Sequence, residues 1–172
     1  MNKIRFNLPD LSARRSAQIG AKMKLATALS ERADLQNRLS ELGNRLNLNA
    51  KVQEGEEPSE APETLMAELD TIASRLEELI SRINLTNSGT VHDGRTITEL
   101  LAHRDCLKSR IQIMRNFLDN ASSKVNRMTH SEIKIKSTVP VSEIQKQVDA
   151  LSKELRECDE LIQELNWTTE LL

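Results

Sequence analysis

The stretch SEIQKQVDALSKELRECDELIQEL, residues 142–165, decides the fold. Ile144, Leu151, Cys158 and Leu165 recur every seven residues, and Val148, Leu155 and Ile162 fall between them at alternating steps of four and three. That spacing places all seven on one stripe of an α-helix, with charged residues on the other faces. A strand of the same composition would need a period of two, which this segment lacks.

Working outward, the same pattern recurs three times. From Met23 to Leu48 one seam holds Leu25, Arg32, Leu39 and Leu46, and the other Ala28, Leu35 and Leu42. A second helix is expected from Pro62 to Leu85, with seams Leu65/Ile72/Leu79 and Leu69/Leu76/Ile83 and with Ile80 widening the apolar face. Pro62 suits a first helical position, where its missing N–H costs nothing. A third helix opens at the capping box Thr96-x-x-Glu99 and carries Ile97, Arg104, Ile111, Leu118 and Val125 beside Leu100, Leu107, Met114 and Ala121. Ser142-x-x-Gln145 reads as the cap of the fourth. Between the second and third helices, residues 84–95 read as a loop, with the Asp93-Gly94 turn signal.

Residues 131–139 break the helical pattern. Ile133 and Ile135 alternate with Glu132, Lys134 and Lys136, which argues for a short strand needing a partner, either in the 90–95 loop or in a second subunit. The expected fold is therefore all-α: an antiparallel four-helix, coiled-coil-like bundle with one short β-strand or hairpin near 131–139. Helices this long, with apolar seams this regular, point to a homodimer.

Composition supports the same class. Aromatics are 2% of the 172 residues, and only five Gly and four Pro occur, which suits long helices packed through Leu and Ile. The formal charge of −2 gives no general sign of nucleic-acid binding. It hides an asymmetry, because residues 1–22 carry a net +4 and the rest −6. That first segment reads either as a basic, flexible extension or as residues ahead of a true start at Met23, with 23–172 forming one helical domain. Cys106 and Cys158 lack metal-ligand spacing and fit reduced thiols. No apolar run is long enough to span a bilayer, and no compact apolar core marks a signal peptide, so the expected location is cytoplasmic.

Four features stand out as candidates for function. The first is the acidic connector Gln53–Glu63, where Glu54, Glu56, Glu57, Glu60 and Glu63 crowd a segment broken by Gly55, Pro58 and Pro62. It reads as a surface for a basic protein or as a solvated link. The second is the pair Arg32 and Arg104 at seam positions, which form either a buried polar network with Asp34 and Asp105 (Asp70 and Glu78 being further candidates) or devices that set helix register. The third is Trp167, an interface anchor or a cap over the bundle end. The fourth is Cys106, with His103 three residues before it, a thiolate pair or an ordinary free thiol. His92, His103 and His130 are isolated, and no phosphate loop, nucleophile elbow or cofactor motif occurs, so neither metal nor cofactor is expected.

Several segments carry a family resemblance: Met23-Lys-Leu-Ala, Glu31-Arg-Ala-Asp-Leu-Gln36, Asn49-Ala-Lys-Val-Gln-Glu-Gly-Glu56, Ile83-Asn-Leu-Thr-Asn87, Asp93-Gly-Arg-Thr96, Arg104-Asp105, Ser131-Glu-Ile-Lys134, Ile144-Gln-Lys-Gln-Val-Asp149, and Ile162-Gln with Asn166-Trp167. From Met23 to its end the chain resembles a septicolysin-like family of uncharacterised bacterial helical proteins. The resemblance implies a helical, dimeric bundle and no settled activity. Where relatives tend to read Arg-Tyr-Ser-Arg-Ser-Glu-Ile-Lys, this chain has Arg127-Met-Thr-His-Ser-Glu-Ile-Lys134, so a function needing that tyrosine or second arginine does not carry over. In type rather than motif, the chain is also similar to immunity proteins of contact-dependent growth inhibition systems.

The expected function is a non-enzymatic cytosolic protein-binding module, most concretely an immunity protein that neutralises a basic toxin nuclease through the acidic connector, without contacting nucleic acid or membrane. The alternatives are a small-molecule-binding or enzymatic bundle built on Arg32, Arg104 and Asp105, and a septicolysin-like membrane-active protein.

Overall fold

The computed structural model describes residues 23–122 and 136–172. Its elements are α1 (Leu25–Leu48), α2 (Pro62–Gly89), β1 (Val91–His92), β2 (Arg95–Thr96), α3 (Ile97–Ser122) and α4 (Val141–Thr168). The fold is all-α, a helical bundle with one two-stranded antiparallel hairpin. The chain divides into two compact units: residues through Ile80 with Glu170–Leu172, and Ser81–Thr169.

In the first unit α1 and the first part of α2 run antiparallel. Glu31 meets Arg75 at 2.8 Å, Arg38 meets Glu68 at 3.5 Å, and Arg45 meets Glu60, so partners descend α2 and the connector as positions rise along α1. Leu25, Ala28, Leu35 and Leu42 are buried on α1, as are Leu65, Ile72 and Leu79 on α2. The seam that Leu25 opens is less buried beyond it, with Arg32, Leu39 and Leu46 only half-buried. The C-terminus belongs here too. Leu171 donates its N–H to the Met23 carbonyl at 2.8 Å, Lys24 bridges Glu170, and Leu171 is buried.

In the second unit α3 and α4 are antiparallel. Cys158 lies against the Leu100 carbonyl, His103 against Glu154, and Ile111 and Leu118 form a core cluster with Val148, flanked by Met114, Val141, Ile144, Leu151 and Leu155. The capping box at Thr96 forms in full. Thr96 N–H donates to Glu99 Oε2 at 2.7 Å and Glu99 N–H donates to Thr96 Oγ1 at 3.1 Å. The Thr96 backbone N–H, and after it the Thr96 hydroxyl, which donates to Glu99 Oε2 at 2.9 Å, hold the Glu99 carboxyl below the ordinary range.

Three sequence expectations shift. First, α2 runs to Gly89 rather than Leu85, continued by buried Thr86, whose hydroxyl donates to the Arg82 carbonyl at 2.8 Å. Second, the loop that follows is a hairpin: Val91 pairs with Thr96 and His92 with Arg95 around Asp93-Gly94. Both turn residues have positive φ, 48° and 78°, the conformation a two-residue hairpin turn demands. Third, α4 is not capped by Ser142. The Pro140 carbonyl accepts from Glu143 and Ile144, starting the helix at Val141, and Gln145 reaches forward to Asp149. The strand expected near 131–139 falls mostly outside the described residues, and 136–139 hold no strand. Residues 1–22 and Val125 also lie outside them.

Candidate functional site

The connector between α1 and α2 is built from short-range bonds. The Gln53 carbonyl accepts from Glu56 N–H at 3.0 Å, closing a turn in which Gly55 takes φ 89°, a conformation that would strain a side chain. The far end is tied back to α1. Asn49 donates Nδ2 to the Arg45 carbonyl at 2.9 Å and accepts Glu60 N–H at 3.0 Å on its Oδ1. Arg45 clasps the Glu60 carboxylate with both Nε and Nη2, and reaches Glu68 at 3.4 Å.

That bidentate clasp divides the five glutamates. Glu60 is committed to Arg45, whose guanidinium hydrogen bond lowers the Glu60 pKa below the ordinary carboxylate range. In return, the Glu60 hydrogen bond raises that of Arg45. Glu54, Glu56, Glu57 and Glu63 are exposed, as is Gln53. Beside them Leu48 (81% exposed) and Val52 (47%) also face solvent and add apolar area to the acidic surface. Leu48, Val52, Glu56, Glu57 and Pro58 line an open depression of about 390 Å³. The connector therefore presents a mixed acidic and apolar surface on a turn of defined shape.

The other candidates are placed differently. Arg104 pairs with Asp105 at 2.8 Å and lies 3.9 Å from Asp159, but Asp105 is 64% exposed and the pair sits at the surface. Arg32 is half-buried, its Nε has no hydrogen-bond partner among the described residues, and Asp34 is exposed. Asp34 and Asp105 thus project to solvent, and within its own unit neither Arg32 nor Arg104 gains a buried carboxylate from them. Asp70 is also exposed, and Glu78 pairs with Arg75 at 2.7 Å. Trp167 is 68% exposed and does not cap the bundle end.

His103 turns to Glu154 at 3.1 Å, leaving the exposed Cys106 thiol without it. Cys158 is buried, and desolvation pushes its thiol pKa up, as fits a small core residue. His130 lies outside the described residues. Among the described residues no group of three His, Cys, Asp or Glu could hold a metal ion. No helix among them is long and apolar enough to cross a membrane.

Sequence reasoning missed one feature, a cation-lined depression between α3 and α4 made by Lys108, Arg115 and Arg156. These residues are separated by up to 48 positions, so only tertiary packing brings them together.

A helical bundle with a pinned acidic connector defines a class rather than a function, and comparison with known proteins gives the same answer. The chain belongs to the family of unknown function DUF6847, whose profile matches residues 32–171. It is similar to a crystal structure described as a functionally unknown conserved protein from Corynebacterium diphtheriae. The two are 40% identical with a TM-score of 0.80, over 88% of this chain and 100% of that one. No curated protein matches.

Proposed function

We propose that the protein is a non-enzymatic binding module that engages a basic protein partner through the Gln53–Glu63 connector, most concretely as a cytoplasmic immunity protein neutralising a toxin nuclease of a contact-dependent growth inhibition system. The observation that carries this reading is the division of labour among the glutamates. Glu60 is spent on holding the loop to Arg45, while Glu54, Glu56, Glu57 and Glu63 face solvent. A link with no role beyond connection gains nothing from a fixed turn that displays unpaired carboxylates beside exposed Leu48 and Val52. Such a surface matches a nuclease cleft, which is basic because it holds a polyanion. Charge steers the encounter, and the apolar side chains slow dissociation.

The test is capture of partners from the cytosol of the native host on immobilised full-length chain. The expected result is a basic protein retained at low salt, inhibited in its nuclease activity, and lost with the triple variant Glu54→Lys, Glu56→Lys and Glu57→Lys. Identical capture by both forms would remove the connector from the mechanism. The septicolysin-like resemblance suggests the competing, membrane-active role. Leakage from liposomes treated with purified protein would favour it over the binding module.

A further inference from the structure

The second unit carries a recess of opposite sign to the connector. Between α3 and α4 lies an open depression of about 320 Å³, with Ile111 and Leu155 as its apolar floor and Lys108, Arg115 and Arg156 around it. Three of its lining side chains are cations and none is a carboxylate. The Lys108 ammonium is 3.9 Å from Asp159 at the edge, a distance at which pairing is weak. Arg115 Nη2 donates to Ser152 Oγ at 3.2 Å. Among the described residues no carboxylate lies within ion-pair distance of Arg115 or Arg156. In a chain of net charge −2, a concavity whose charged lining residues are all cations favours a carboxylate-bearing ligand.

The first unit supplies a segment of matching chemistry. Within 52–58 the connector carries three exposed glutamates, Glu54, Glu56 and Glu57, bracketed by Val52 and Pro58. In number and sign its three carboxylates complement the three cations, and Val52 and Pro58 are apolar like Ile111 and Leu155. We propose that the connector of one copy docks in the α3–α4 depression of a second copy. The proposal rests on reading the connector as an electrostatic binding surface. It adds a regulation: self-association covers the same glutamates that would meet a basic partner, so partner and second copy compete. The contact is heterologous, one surface against a different one, so assembly either closes on itself or grows.

Sedimentation equilibrium on the full chain, at low and raised ionic strength, tests this by charge exchange. Wild type should self-associate at low salt and dissociate as salt rises. Two variants, Arg115→Glu with Arg156→Glu and Glu56→Lys with Glu57→Lys, should each associate at least tenfold more weakly, with helical circular dichroism unchanged. An equimolar mixture of the two should associate again, because each reversed surface now meets its complement. A monomeric wild type, a variant that associates as wild type does, or a mixture that stays monomeric overturns the proposal. If the Glu56→Lys, Glu57→Lys variant loses the basic partner but keeps self-association, the partner reading stands and this one falls. The reverse pattern leaves this one standing alone.

Discussion

The two connections flanking α2 join helices by opposite means. Residues 91–96, after α2, satisfy their backbone locally: β1 pairs with β2, Asp93-Gly94 supplies the turn, and Thr96 and Glu99 cap the next helix. The acidic connector before α2 has one turn bond of its own, and is otherwise held by Asn49 and by the clasp of Arg45 on Glu60. The hairpin exposes Val91, its turn and Arg95, whereas the connector exposes Glu54, Glu56, Glu57 and Val52, with Glu63 exposed beside it in the first turn of α2. One connection is closed by its own backbone, and the other is held from outside by α1 side chains while its carboxylates face solvent. Changes in the hairpin should therefore move stability and leave association alone, and changes in the connector should do the reverse.

The largest contrast should come from reversing Glu54, Glu56 and Glu57 to Lys. Association with the proposed basic partner should slow by about tenfold or more at low salt, while the unfolding free energy holds within about 0.5 kcal/mol, as for surface substitutions in general. A loss of stability comparable to the loss of association would erase the distinction between the two connections. Next, Gly94→Val forces a branched side chain into a positive-φ position and should cost about 1–2 kcal/mol, lowering Tm by roughly 2–4 °C for each kcal/mol, with partner binding intact. Thr96→Ala removes the α3 cap and should cost about 1 kcal/mol, read by urea denaturation.

Arg45→Ala sharpens the comparison at its other end. Amide exchange over residues 50–60 should accelerate while global stability barely moves, because the pair is substantially exposed. An unchanged exchange pattern would mean that Arg45 does not hold the loop. Acid should give the smallest effect. The folded pKa of Glu60 lies below its unfolded value, so its contribution is complete above the unfolded pKa of about 4.3 and is lost as pH falls through the folded value. Connector protection should thus be flat from about pH 5 to 8 and fade below about pH 4. Glu99 behaves with the same sign at the α3 cap.

The helices were legible because a seven-residue period in Leu and Ile has one structural solution. Pro62 and the Thr96/Glu99 box gave two helix starts correctly because both are local chemistry. The extra turn of α2 was not legible: Thr86, Asn87, Ser88 and Gly89 are poor helix formers, and burial of Thr86 overrides their propensity. Ser142 does not cap α4 because the Pro140 carbonyl accepts the first helical bonds and starts the helix two residues earlier, at Val141. For the site, the run of glutamates was plain, but the Arg45 clasp that sets Glu60 apart from the other four depends on packing across 15 residues. The polar seam residue Arg32 was legible as an anomaly, whereas the exposure of Asp34 was not.

In the function proposed above, the connector rather than a helix face meets the partner. Hydrogen exchange on the full chain, with and without the captured basic partner, tests it most directly. New protection should concentrate on residues 51–59 and diminish as salt is raised. Protection confined to the helices, with the connector exchanging as in the free protein, would contradict it.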